Sequence, residues 1–277
     1  MFIDAHQHYW CYNSIEYEWI DESMSAIRRD FLPEDLEPEL QGNGFRGSVA
    51  VQTRQTLEET RWLLELSEQS GSILGVVGWI DLCSPDARSQ LKRFVKNPKL
   101  VGIRHIVQGE ADDRFLMRPD FLRGISLLEE FDLAYDILIY TRHLPVAAEF
   151  VERFPHHRFV LDHMAKPPIK RGEIKGWEEG IRRLAVFSNL FCKLSGLVTE
   201  ADWNRWKPEQ VHPYLDVAFD CFGPQRLMIG SDWPVCLVAS TYTRVIELVK
   251  NYLDRYSPEI REAVLGGNAQ RFWRLKP

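Results

Sequence analysis

Four residues of this chain have types and settings suited to hydrolytic chemistry: the pair His6 and His8 in DAHQH, His163 in LDHMAKP, and Asp232 in GSDWPV. Two imidazoles two residues apart on a strand share one face. Such a pair can hold a divalent metal or donate hydrogen bonds to a carbonyl. Asp232 follows an apolar run and is braced by Trp233 and Pro234. A carboxylate so placed suits a general base or a metal ligand, and it also suits a helix N-cap. His163, on the parity of Phe159 and Leu161, is expected to point inward, with Asp162 turned out toward helices. A satisfied core histidine is the other reading of that position.

The elements that must position these groups are legible as short β-branched or apolar runs separated by stretches of helical spacing. Eight such runs are expected as strands: Phe2 to His6, Gly47 to Thr53, Ile73 to Asp81, Leu100 to Val107, Leu133 to Tyr140, Arg158 to His163, Leu190 to Ser195 and Arg226 to Asp232. Between them, Thr56 and Glu59 read as a capping box before TRWLLELSEQS, with Gly71 as a stop. Ser84-Pro85 and Ser257-Pro258 read as helix starts, the last helix ending at Gly266-Gly267. Eight βα units predict an α/β protein folded as a closed (β/α)8 TIM barrel, with an open doubly wound sheet as the alternative. No Gly/Ser/Pro-rich linker interrupts residues 1–277, which predicts a single domain. The connection from about 9 to 46 is too long for a simple βα loop. It carries Trp10, Trp19, Phe31 and the proline-bounded FLPEDLEP, and is expected to form a lid or wall over the site, or a plain surface excursion. In such a barrel catalytic groups belong at the C-terminal ends of strands, where His6, His163 and Asp232 fall.

Composition narrows the function classes. Of 277 residues, 45% are hydrophobic and 27% charged, enough apolar material for a large core and too much for disorder. The net charge of −6, with no basic run, argues against nucleic acid as a partner. No apolar stretch nears the roughly 20 residues of a membrane helix, and MFIDAHQH lacks the basic start and apolar run of an export signal. Five scattered cysteines, Cys11, Cys83, Cys192, Cys221 and Cys236, show no C-x-x-C spacing, so small apolar packers in a reduced cytoplasmic setting are expected.

Taken in order, the strand-one H-x-H, LDHMAKP, CKLSGL, GSDWPV and the closing GGNAQRFWRL resemble the amidohydrolase-2 family of the amidohydrolase superfamily, and within it the sugar-lactonase branch. The resemblance spans nearly the whole chain. It implies a TIM barrel that opens a sugar-derived 1,5- or 1,4-lactone to the aldonic acid, with Asp232 activating water, His6 and His8 polarising the carbonyl, and His163 orienting the carbonyl or protonating the ring oxygen. It also implies one divalent metal, zinc or manganese, on His6, His8 and Asp232. Metal-dependent decarboxylases of the superfamily end strand five in a histidine, where this chain has Tyr140, with His143 three residues on. A metal is therefore expected to be exchangeable rather than essential. The remaining polar strand-end groups are expected to bind substrate: Gln52, Trp79, Asp81, Arg104, Tyr140, Lys166 and Trp233, with Lys193 and Ser195 as further candidates. Arg104 suits a carboxylate or lactone oxygen, or else a salt bridge at the rim. Trp10 and Trp233 could offer apolar faces to a sugar ring, or simply pack. The expected partner is a small-molecule sugar lactone. Metal-dependent decarboxylation of an aromatic or muconate-type acid, and a non-catalytic sugar-acid binding barrel, are the alternatives.

Overall fold

The computed structural model describes residues 1–276. The eight expected strands form as β1 Phe2–Gln7, β2 Phe45–Val51, β3 Ile73–Gly78, β4 Leu100–His105, β5 Ala134–Ile137, β6 Phe159–Leu161, β7 Leu190–Leu194 and β8 Leu227–Ile229. All neighbours pair in parallel, in sequence order. Beyond β8 the chain closes back on β1: the Asp232 N–H donates to the His6 carbonyl at 2.8 Å and the His8 N–H to the Trp233 carbonyl at 2.7 Å. The result is a nearly closed (β/α)8 barrel, and the seam that closes it runs through three of the four residues singled out for chemistry.

Two apolar layers follow from strand alternation. Inside, Ile3, Ala5, Val49, Val51, Val77, Ala134, Val160 and Met228 meet Phe272, Trp273 and Leu275, so the C-terminal helix Asn268–Trp273 and the residues after it plug the barrel floor. Outside, residues of opposite parity such as Tyr135, Ile137, Phe159, Leu161 and Leu194 pack under the helices. No described helix is long and apolar enough to cross a membrane.

Several local expectations are corrected. FLPEDLEP is not part of a loop: Pro33–Gly42 is the first barrel helix, with Pro33 at its N-terminal turn and Pro38 inside. Glu59 does not complete a capping box. Thr56 accepts from the Glu59 N–H, but the Glu59 carboxylate turns back to the N–H groups of Thr53 and Arg54, at 2.7 and 2.6 Å, and ties the end of β2. The helix after β3 begins at Ala87, two residues past Pro85, and Ser84 Oγ accepts from the Asp86 N–H in the turn ahead of it. Gly266-Gly267 does not stop the last helix. Gly266 lies against Met1 and Ile3, where a Cβ would meet the Met1 carbonyl, so the chain bulges there and resumes as the floor helix.

Candidate active site

Strict alternation cannot aim both the start and the end of β1 into the barrel, since Ile3 and Ala5 are inward and His6 has the opposite parity. A β-bulge resolves this. Between the Asp4↔Ser48 and Gln7↔Ala50 pairs β1 advances three residues while β2 advances two, so the side chains after Ala5 change face and His6 and His8 enter the mouth. Gly230 makes room, because a Cβ there would lie 2.7 Å from His6 Cβ. Asp4, a residue sequence reasoning passed over, fixes the seam from behind: its buried carboxylate accepts from the Ser231 N–H at 2.9 Å, the His6 N–H at 3.2 Å and the Tyr242 hydroxyl at 3.2 Å. Burial pushes the Asp4 carboxyl up to about 6.

His163 reaches the same mouth by another route, and here the parity argument is corrected. Phe159 and Leu161 face the helices, Val160 faces inward, and Asp162 points into the barrel rather than away from it. β6 stops at Leu161, and His163, Met164, Ala165 and Lys166 all take left-handed backbone, φ +51 to +58°. Each such residue costs on the order of 1–3 kcal/mol and persists only where its surroundings hold it. Asp232 is left-handed too, at φ +58°. Gly196 at φ +65° lies against the His163 ring, where a Cβ would approach Nδ1 to 2.7 Å.

The four groups converge. Asp232 Oδ1 is 3.3 Å from His8 Nε2, 3.7 Å from His6 Nε2 and 3.9 Å from His163 Nε2, and His6 Nε2 is 3.2 Å from His8 Nε2. Burial would raise the Asp232 carboxyl, but the imidazoles of His163, His8 and His6 outweigh it and hold Asp232 well below the ordinary carboxylate range. Burial lowers His163 to about 4, so its ring is neutral at pH 7. Its Nδ1 pairs with Ser195 Oγ at 2.8 Å.

Beneath this cluster lies a buried charged layer that sequence reading only grazed. β4 to β7 contribute one group each: Arg104, Asp136, Asp162 and Lys193. Lys193 Nζ sits 2.5 Å from Asp136, 2.8 Å from Asp162 and 3.0 Å from His6 Nδ1, its fourth side over the Trp273 ring. Arg104 pairs with Asp162 at 3.0 Å and donates to the Gln52 carbonyl, with Nη1 3.4 Å from His6 Nε2. Burial alone would raise Asp162, but Lys193, His6 and Arg104 hold it well below its usual value; burial pushes Asp136 up to about 7 against the pull of Lys193. Burial and the Lys193 charge keep His6 neutral. Only apolar neighbours and strand parity could have flagged Asp136, because its partner is 57 residues away.

The hydrogen-bond network assigns the tautomers. His8 Nδ1 donates to the Val51 carbonyl at 2.7 Å, which leaves a lone pair on Nε2. Lys193 donates to His6 Nδ1, which puts the His6 proton on Nε2, facing the mouth. His6, His8 and Asp232 form an N,N,O set that a divalent ion accepts. His8 and Asp232 are ready for it. His6 can join only by moving its proton to Nδ1, where Asp162 Oδ1 at 3.4 Å can receive it.

The other candidates disperse. Gln52 is buried and its amide donates to the Arg104 carbonyl at 3.2 Å. Trp79 aims its indole N–H at His105, and Asp81 accepts from the Cys83 and Ser84 N–H groups; among the described residues no hydrogen bond or ion pair joins either to the histidine cluster. Trp233 is covered by Phe31 and Tyr9, with ring centroids at 5.1 and 6.0 Å, and Trp10 is wholly buried against Phe31 and Trp19, so both rings pack into the same aromatic wall. The segment ahead of Pro33 is thus a wall packed on the strand-eight loop. Tyr140 and Lys166 stand together at the rim, the Lys166 ammonium 5.4 Å from the Tyr140 ring centre.

The amidohydrolase family model (Amidohydro_2) matches residues 3–275, and the chain belongs to that family. It is 42% identical to an L-fucono-1,5-lactonase of Burkholderia multivorans across 99% of this chain and 96% of the relative, and 40% identical to an L-fucono-1,5-lactonase of Burkholderia ambifaria across 99% and 95%. A crystal structure of a Burkholderia multivorans amidohydrolase with bound zinc superposes with a TM-score of 0.97 over the whole of both chains, at 41% identity.

Proposed function

We propose that this chain hydrolyses a sugar-derived lactone to its aldonic acid, with L-fucono-1,5-lactone the first candidate substrate. The observation that carries the reading is the convergence of His6, His8, His163 and Asp232 at one barrel mouth in a chain 42% identical, end to end, to a lactonase of that name. Water held at Asp232 attacks the lactone carbonyl carbon. By itself Asp232 is a weak base, so the proton it takes is shared with His8 Nε2, 3.3 Å away, once the His6 Nε2 proton that rests on that lone pair at 3.2 Å turns to the oxyanion. The carbonyl oxygen becomes an oxyanion, received by the His6 Nε2 proton and the Arg104 charge. The carbon–ring-oxygen bond then breaks, and the proton taken from water returns to the departing alkoxide, with His163 beside it. The sum is lactone plus water giving hydroxy acid. A divalent ion on His6, His8 and Asp232 would supply a more acidic water and a Lewis acid for the carbonyl.

Decarboxylation finds less support. Tyr140 sits at the rim, and the inward group of β5 is Asp136, already held by Lys193. The test is a pH-indicator assay over a lactone panel beside carbon-dioxide detection from aromatic acids. Acid release without gas is expected; gas without acid release would replace the proposal by decarboxylation, and neither would leave a binding barrel.

A further inference from the structure

Beside the histidine cluster, the loops after β5, β6 and β7 enclose a cavity of about 790 Å3 whose wall includes Tyr140, Lys166, Thr199, Glu200, Trp203 and Asn204. The segments that seat His163 also build this wall. Lys166 is the last residue of the left-handed run that begins at His163, and the turn from Ser195 and Gly196, both against His163, leads to Thr199 and Glu200, with the Glu200 N–H bonded to the Gly196 carbonyl at 3.3 Å. The cavity thus borders the segments that seat His163, while none of the four cluster residues lines it.

Lys166 Nζ stands 3.7 Å from Glu200 Oε1, an ion pair too long for a good hydrogen bond, and both side chains are partly open to solvent. Each keeps unused hydrogen-bonding capacity toward the cavity. Tyr140 is exposed, and Trp203 is fixed by its indole N–H to the Thr199 carbonyl at 2.9 Å. Of the other charged side chains lining the cavity, Arg142 is tied to Asp113 at 2.9 Å, Arg171 to Glu173 at 3.1 Å, and Asp202 accepts from the Asn204 N–H at 3.1 Å, while Lys170 forms no ion pair among the described residues.

We propose that Glu200, working with Lys166 against the Tyr140 and Trp203 rings, is the specificity-determining residue that reads the ring hydroxyls of a neutral polyhydroxylated lactone. This rests on the lactonase reading above. A sugar hydroxyl is both donor and acceptor; the carboxylate accepts from adjacent hydroxyls, the ammonium donates to one, and the apolar C–H face of the ring lies on an aromatic surface. Burial, eased by Lys166 and reinforced by the Asp232 charge, raises the Glu200 carboxyl, which fits a group just beside the reacting centre.

The experiment compares L-fucono-1,5-lactone with δ-valerolactone, a six-membered lactone without hydroxyls, in wild type, E200Q and K166M. For E200Q the ratio of kcat/KM for the sugar lactone to that for δ-valerolactone should fall about 10-fold or more, mainly through KM, the usual scale for a lost hydrogen bond to a charged group. K166M should move the ratio the same way by less. An unchanged ratio, whether from equal losses on both lactones or from no loss on either, overturns the proposal. Failure of the lactonase reading shows separately, as a wild type that opens neither lactone. The binding claim is then read by calorimetry with 1,5-anhydro-L-fucitol, the same ring without a carbonyl: tighter binding to wild type than to E200Q sustains it, and equal or absent binding overturns it.

Discussion

Two lysine–carboxylate pairs lie on either side of the histidine cluster. Below it, Lys193 and Asp136 are fully buried at 2.5 Å, inside a layer with Asp162 and Arg104; at the rim, Lys166 and Glu200 stand 3.7 Å apart and partly exposed. The chemistry is alike and the energetics are opposite. A buried charge has no water to fall back on, so its partner is obligatory, whereas an exposed pair is worth little and exchanges partners freely. The lower pair sets the His6 tautomer on which the proposed mechanism depends. The upper pair is the one proposed above to trade its contact for substrate.

The sharpest way to break this comparison is to remove each ammonium. Lys193→Met should lower unfolding free energy by about 3–5 kcal/mol, as expected when a buried ion pair loses one member. Lys166→Met should stay within about 1 kcal/mol of wild type. Denaturant titration of both variants decides it; similar values would make the two regions equivalent.

Asp232→Asn comes next. The amide keeps the shape but cannot take a proton, so kcat should fall about 100-fold or more while the unfolding midpoint is kept. Near-wild-type kcat would pass the base role to a neighbouring imidazole, His163 or the His8 ring that already shares the proton.

A smaller effect should appear in pH dependence. An ordinary histidine titrates near 6.5, but burial lowers His163 to about 4, so the acid limb of kcat/KM that it governs should lie well below pH 6. The sign for stability is the reverse of a benefit in acid. The unfolded chain takes up a proton near 6.5 that the native ring refuses until about 4, so stability present above 6.5 is lost as pH falls through that window. His163→Gln should reduce that slope in denaturation curves between pH 4 and 7 by the share of one histidine, His157 and His6 keeping theirs, and an unchanged slope would place the lability in those rings alone.

The smallest change is expected on chelation. With Lys193 holding the His6 proton on Nε2, the cluster retains a hydrogen-bond donor for the oxyanion without an ion, and a lactone is already an activated ester. Elemental analysis should find sub-stoichiometric zinc or manganese, and most of kcat should survive prolonged chelation. Complete loss, restored by one metal, would make His6, His8 and Asp232 obligatory ligands.

The sequence by itself determined the barrel, because alternation of short apolar runs with helical spacing is a local pattern. It also singled out His6, His163 and Asp232 by type and by their place after apolar runs, and these side chains converge in the structure. Only the tertiary structure decided which way they point. The bulge in β1 comes from pairing register with β2, and the left-handed run from His163 to Lys166 is held by Gly196 and Ser195, some 30 residues away in the chain. Strict period-two reasoning therefore sent Asp162 outward when it faces Arg104 and Lys193. The buried layer was beyond reach for the same reason: Lys193, Asp136, Asp162 and Arg104 come from four strands, and one charge in an apolar run carries no sign of its partner until closure brings the strands together and excludes the water that would otherwise solvate them.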